Sequence, residues 1–101
     1  MEHHRPKTPL ERVKALVKED KVRVTQSAIN GAHDLGLGVE DIYDAILNLT
    51  REDFYKRMTS HADHKIWHEV YTPIHPTAGE LYLKVIVQED CLVVSFKERQ
   101  P

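Results

Sequence analysis

Four side chains in the second half of the chain, His68, Tyr82, Lys84 and Lys97, have types suited to phosphodiester chemistry, and Lys56 joins them if its segment is a strand. An imidazole takes or gives a proton near neutral pH, a phenol positions or donates one, and ammonium groups stabilise the extra charge on phosphorus. Cleavage of RNA by its own 2′-hydroxyl needs that set: a base for the hydroxyl proton, cations for the phosphate, and an acid for the leaving 5′-oxygen. The reaction requires no metal ion. Exposed Tyr and His also stack on splayed bases, which is how proteins usually read single-stranded RNA.

Whether the four side chains act together depends on the elements that carry them. Residues 66–72, 80–87 and 91–97 read as strands, joined by a loop with Pro73, Pro76 and Gly79 and by a tight turn at 88–90. Successive strand residues point to opposite faces. Leu81, Leu83, Val85 and Val87 therefore share one apolar face, which alternation matches with Leu92, Val94 and Phe96. The other face carries Tyr82, Lys84 and Ile86 beside Val93, Ser95 and Lys97. With Trp67 and Tyr71 turned to the core, His68 joins Tyr82 and Lys97. Phe54, Lys56 and Met58 join from a further strand if their segment is extended. That segment, 54–59, is ambiguous: residues 50–53 suit a helix start, yet the run alternates and is aromatic enough for a strand. The plain alternative is a solvated sheet face, where Lys and Tyr are common.

The first half reads as helical. Thr8, Pro9 and Glu11 form a helix start, with Thr8 as cap, Pro9 in the first turn and Glu11 completing a capping box. Leu10, Val13, Leu16 and Val17 make one stripe. After a β-leaning Val22-Arg23-Val24, Thr25 caps a second helix with Ala28, Ile29, Ala32 and Leu35 on one face, ended by Gly36. Gly38 and Val39 open a third with Ile42, Ala45, Ile46 and Leu49 in helical period. Helices followed by a meander predict an α+β domain, with N-terminal helices packed on one face of an antiparallel sheet. Residues 1–7 read as a flexible N-terminal arm and 8–101 as a single domain.

The composition sets limits. With 101 residues the chain holds one two-layer core, which excludes large multi-site enzymes. One Cys and no apolar leader fit a reducing, cytoplasmic setting, and no apolar run approaches the roughly 20 residues of a spanning helix. A net charge of −2, from 14 Lys and Arg against 16 Asp and Glu, argues against wholesale attraction to nucleic acid and leaves any RNA binding to a local basic face.

Collinear matches along nearly the whole chain carry a more specific signal. They comprise Thr8-Pro9-Leu10, Val13-Lys14, Leu16-Val17, Val22-Arg23, Ser27-Ala28 and Leu35-Gly36-Leu37, and are densest from Asp53 onward. There Asp53-Phe54-Tyr55-Lys56, Met58-Thr59, Asp63-His64, Ile66-Trp67, Val70-Tyr71, Tyr82-Leu83-Lys84 and Val94-Ser95-Phe96-Lys97-Glu98 all fit one pattern. In these residues the chain resembles the MqsR family, the mRNA-cleaving toxins of a bacterial type II toxin–antitoxin system with a RelE-like fold. The resemblance implies a metal-independent endoribonuclease that cuts mRNA at GC-containing triplets, chiefly GCU. It also implies growth arrest until an MqsA-like antitoxin neutralises the toxin, no cofactor, and DNA contact only through that antitoxin. The family's active-site positions fall on Lys56, Tyr82 and Lys97, and the family favours a strand at 53–58. Its fourth position is Gln, where this chain has His68. Glutamine only positions or polarises, whereas imidazole transfers protons, so His68 is expected as general base or acid, Lys56 and Lys97 on the phosphate, and Tyr82 positioning or protonating. Tyr55, Arg57, Met58, Lys84 and Arg99 follow as RNA-binding candidates.

Rival readings stay beside this one. His61, His64 and His68 with Asp63 imitate a zinc spacing, but a zinc site needs three or four converging ligands and half of this segment reads as extended. Cys91 opens a strand with nothing to activate it and reads as a small apolar residue. No helix carries basic residues at DNA-recognition spacing. The second class of function is a catalytically altered RelE-like module that binds antitoxin, RNA or ribosome without cutting. Retention of Lys56, Tyr82 and Lys97 argues against it, because a decaying site would lose a charged residue first.

Overall fold

In the computed structural model, which describes residues 2–100, the apolar stripes of three helices all turn to one side of a mixed sheet. Helix α1 (Leu10–Lys18) buries Val13, Leu16 and Val17; α2 (Gln26–Asp34) buries Ala28 and Ala32; α3 (Val39–Leu47) buries Ile42 and Ile46. Thr25 caps α2, its Oγ1 accepting the Ala28 N–H at 3.1 Å. Asp41 closes the α3 entry by accepting the Gly38 N–H at 2.8 Å. Two helices end on paired backbone bonds that need one left-handed residue. Gly36 (φ +75°) serves α2, with Leu37 N–H on the Ala32 carbonyl at 2.9 Å, and Asp20 (φ +64°) serves α1, with Lys21 N–H on the Leu16 carbonyl at 2.8 Å.

The strands are β1 (Glu2–His3), β2 (Val22–Val24), β3 (Phe54–Thr59), β4 (Trp67–Tyr71), β5 (Ile74–His75), β6 (Gly79–Val87) and β7 (Cys91–Glu98). Their order is β1-β3-β4-β6-β7-β2, with β5 paired to the start of β6. The central meander is antiparallel as the alternation predicts, but β2 pairs parallel to β7 over Cys91–Val93, so the sheet is mixed. Beyond that pairing α2 takes over the edge: Thr25 N–H and Oγ1 donate to the Val93 and Val94 carbonyls at 3.0 and 2.9 Å. An edge that would expose unpaired backbone is thereby covered. Tyr71, Leu81, Leu83, Val85, Cys91, Val93 and Phe96 complete the core under the helices.

Three local expectations change. Residues 2–3, read as part of a loose arm, pair antiparallel with Arg57 and Met58 of β3. The cause lies in Glu69, a carboxylate only 1% exposed, whose Oε1 accepts the backbone N–H groups of Lys7 and Thr8 at 2.8 and 3.0 Å. A buried carboxylate must be hydrogen-bonded, and satisfying it draws the N-terminal segment onto the sheet. Thr8 is thus engaged through its backbone and does not cap α1, where Pro9 holds the cap position without a side-chain bond.

The third change concerns β7. Lys84 pairs with Ser95 but Val85 with Val93, so Val94 is an extra, bulged residue. The bulge reverses parity below it: Cys91 and Val93 are fully buried and Leu92 turns outward, while Phe96 stays in the core. The ambiguous segment resolves as a single 3₁₀ turn, Arg51–Asp53, followed by strand β3.

Candidate active site

The register of four strands fixes which side chains share the uncovered face. Lys56 of β3 lies opposite Val70 of β4, Val70 opposite Lys84 of β6, and Lys84 opposite Ser95 of β7, forming one straight row across the sheet. The next row holds Tyr82 opposite Lys97. On the other side of the central row, His68 lies opposite Met58. Lys56, His68, Tyr82 and Lys97 therefore stand on the same face, as alternation predicts, and the two bulges leave these four on that parity. Lys84, a secondary candidate in the sequence, occupies the middle of the group.

The electrostatics agree with this placement. Burial pushes the Lys84 ammonium below its usual range, and the charges of Lys97 and then Lys56 push it further. The Lys97 and Lys84 ammonium groups stand 5.4 and 6.0 Å from the Tyr82 ring centre. Like charges gathered this way disfavour one another's ionised form. His68 is lowered from 6.5, first by burial and then by Lys84, so its imidazole is neutral at pH 7. A neutral imidazole keeps a lone pair free for a proton, and the ammonium that acts on it is that of Lys84.

A bulge also re-aims Tyr55. Phe54 pairs with Tyr71 but Lys56 with Val70, which leaves Tyr55 outside the alternation that would send it with Arg57. Its ring stands 5.2 Å from the Lys56 ammonium and 4.8 Å from the Arg99 guanidinium carbon. Arg57 goes to the helix-side face instead, its guanidinium 4.5 Å from the Trp67 ring centre, and its buried Nε has no hydrogen-bond partner among the described residues. Trp67 is half-buried there, with His3 edge-on at 5.4 Å, whereas Tyr71 is fully in the core. Met58 lines the face beside His68. His61 and His64 are exposed on the loop between β3 and β4. Cys91 is buried, and burial pushes its thiol up to about 12, which removes it as a nucleophile.

One residue at this face is not among the sequence candidates. Glu80 continues the parity of Tyr82 and Lys84, and its Oε1 accepts from Arg99 at 2.8 Å. With Tyr55, Lys56, Tyr82, Arg99 and Gln100 it lines an open groove of about 530 Å³ beside the Tyr82–Lys97 row. Its place on the face was readable from alternation, but its meaning depends on the turned Tyr55. Among the described residues, no helix is long and apolar enough to cross a membrane.

Two comparisons with known proteins bear on this arrangement. A family model described as "Motility quorum-sensing regulator, toxin of MqsA" matches residues 5–98. The chain is also 46% identical over 99 residues to the mRNA interferase toxin MqsR of Escherichia coli (strain K12), an alignment covering 98% of this chain and 100% of that protein. A match over nearly the whole domain, including every strand of the basic face, establishes that this chain belongs to the MqsR toxin family.

Proposed function

We propose that this toxin is an mRNA interferase, a sequence-selective endoribonuclease that cuts single-stranded mRNA by activating the 2′-hydroxyl beside the scissile phosphate. The supporting observation is that Lys56 and Lys97 gather about Lys84, with His68 and Tyr82 flanking that row, on a face that no helix covers among the described residues. A phosphate seated over Val70 and Lys84 lies between His68 on one side and Tyr82 on the other. The backbone positions of those two are about 14 Å apart by strand spacing and rise, a gap that an imidazole and a phenol close from opposite ends.

In this reading neutral His68 takes the 2′-hydroxyl proton as the oxygen attacks phosphorus. Lys56, Lys84 and Lys97 hold the added charge on the non-bridging oxygens. Tyr82 gives its proton to the leaving 5′-oxygen, and after product release His68 gives its proton to solvent while the Tyr82 phenolate takes one back, which restores both groups. The products are a 2′,3′-cyclic phosphate and a 5′-hydroxyl. The ammonium groups supply the charge compensation that a divalent cation would otherwise provide. GC-containing sites of the GCU type are the preferred sequence, and an MqsA-like antitoxin holds the enzyme inactive in the cytoplasm.

The test is incubation of purified protein, in excess chelator, with an RNA containing GCU and with the same RNA altered there. Cutting at the triplet with cyclic-phosphate ends is the expected result, and a 2′-deoxy substitution at the cut nucleotide must block it. Intact RNA from folded, antitoxin-free protein overturns the reading in favour of a binding module.

A further inference from the structure

The groove beside the Tyr82–Lys97 row contains a feature that phosphate binding does not explain. Its walls carry the cations Lys56 and Arg99, yet Glu80 places a carboxylate between them, 48% exposed and bonded to Arg99. A carboxylate there repels phosphate and weakens the field that the lysines create. Nor is it justified by stability, because a half-exposed surface ion pair contributes little. The described bond uses only Oε1, so a carboxylate edge remains for a ligand that brings its own N–H donors.

The same groove supplies the other half of a recognition site. Tyr55 is 38% exposed, turned onto this face by the β3 bulge, and braced by the Arg99 guanidinium at 4.8 Å. Bulges next to active sites commonly re-aim one side chain, and an aromatic ring with an Arg plane is a stacking platform for a base. We infer that this groove is a nucleobase subsite in which Tyr55 supplies the stacking surface and Glu80 selects guanine in the nucleotide next to the cut.

The chemistry favours guanine over the other bases. Guanine presents two parallel donors, N1–H and the N2 amino group, which a carboxylate accepts together. Adenine and cytosine present a ring-nitrogen acceptor at that place, which Glu80 repels, and uracil offers one donor between two carbonyl oxygens. Arg99 orients Glu80 through Oε1 without occupying both oxygens. This inference rests on the ribonuclease reading for the position of the backbone, but its binding arm is independent of cleavage.

The experiment uses fluorescein-labelled short RNAs made uncleavable by 2′-O-methyl groups, in a set that varies one base at a time on each side of the cut position. Binding to the full chain is read by anisotropy, and cleavage of the unmodified set gives kcat and KM. Wild type is expected to prefer guanine over adenine at one position by about tenfold or more, the scale of a good bidentate base contact. Glu80→Gln should bring the two within about twofold, raising KM for the guanine substrate. Tyr55→Phe should retain affinity, and Tyr55→Ala should lose it for all bases alike. Guanine preference that survives Glu80→Gln, or its absence at every position in wild type, overturns the subsite. Base-selective binding without any cutting would instead overturn the enzyme reading and leave the subsite standing.

Discussion

Tyr82 and Lys97 face each other directly across β6 and β7, with the Lys97 ammonium 5.4 Å from the phenol ring centre. Lys97 is exposed, so removing its charge disturbs no core contact. Lys97→Ala should lower kcat/KM for RNA cleavage by about a hundredfold, the scale of losing one transition-state charge contact. Its Tm should stay within about 1–2 °C of wild type, as for most surface changes. Tyr82→Phe separates the hydroxyl's two tasks: a loss in kcat at constant KM identifies proton donation, whereas a rise in KM alone identifies a hydrogen bond that positions the substrate.

His68 predicts a pH signature. Its imidazole is pulled below 6.5 by burial and by Lys84, so the group is neutral above that value and gains a proton as pH falls below it. A base works in its neutral form. The kcat/KM profile of wild type should therefore hold level from pH 8 down to about 6.5 and fall at lower pH. His68→Gln should lose about 10²–10⁴-fold at the plateau, the range for general base catalysis, and lose the acid limb with it. Superimposable profiles for the two proteins would remove His68 from the mechanism.

Lys84 sits where function and stability oppose each other. Burial and the nearby Lys97 and Lys56 lower its ammonium in the folded state, so the unfolded chain holds that proton more tightly. The folded state carries this penalty in full at neutral pH and sheds it only as pH climbs toward 10.5. Lys84→Met keeps the side-chain length and removes the charge. It should raise Tm at pH 7 by about 1–4 °C, in the range of surface-charge optimisation, with the advantage shrinking in alkali, while cleavage falls. A variant that is both less stable and still active would contradict the cation cluster.

The sequence shows these positions unevenly. The three helices and the order of the meander follow from local periodicity and caps such as Thr25 and Gly36, which depend only on near neighbours. Segment 54–59 stayed ambiguous because aromatic alternation and a helix start overlap there, and β3 is decided by pairing with β4 and β1. The bulges at Tyr55 and Val94 are invisible for the same reason: each is a property of register between two strands, not of either strand alone. Lys56, His68, Tyr82 and Lys97 are legible because His68 and Tyr82 stand on strands without an extra residue, while Lys56 and Lys97 lie on the C-terminal side of theirs, where simple parity survives. The parallel pairing of β2 depends on a partner about seventy residues away, and the docking of the N-terminal segment depends on the buried Glu69.

A last prediction joins the helical layer to the site. Gly31 lies within α2, where helix propensity alone says that alanine should stabilise by about 1 kcal/mol. Packing says the reverse. A Cβ at position 31 would collide with the Phe96 carbonyl, a backbone group, and would stand 3.6 Å from Lys97 Cβ. Neither α2 nor β7 can yield cheaply, because Thr25 bonds to Val94 and Phe96 is locked in the core. Overpacking against backbone costs about 1–3 kcal/mol, which exceeds the propensity gain over most of that range. Gly31→Ala should therefore lower Tm by several degrees and reduce cleavage by displacing Lys97, whereas Gly31→Ala with a raised Tm would show that α2 does not hold β7 in place.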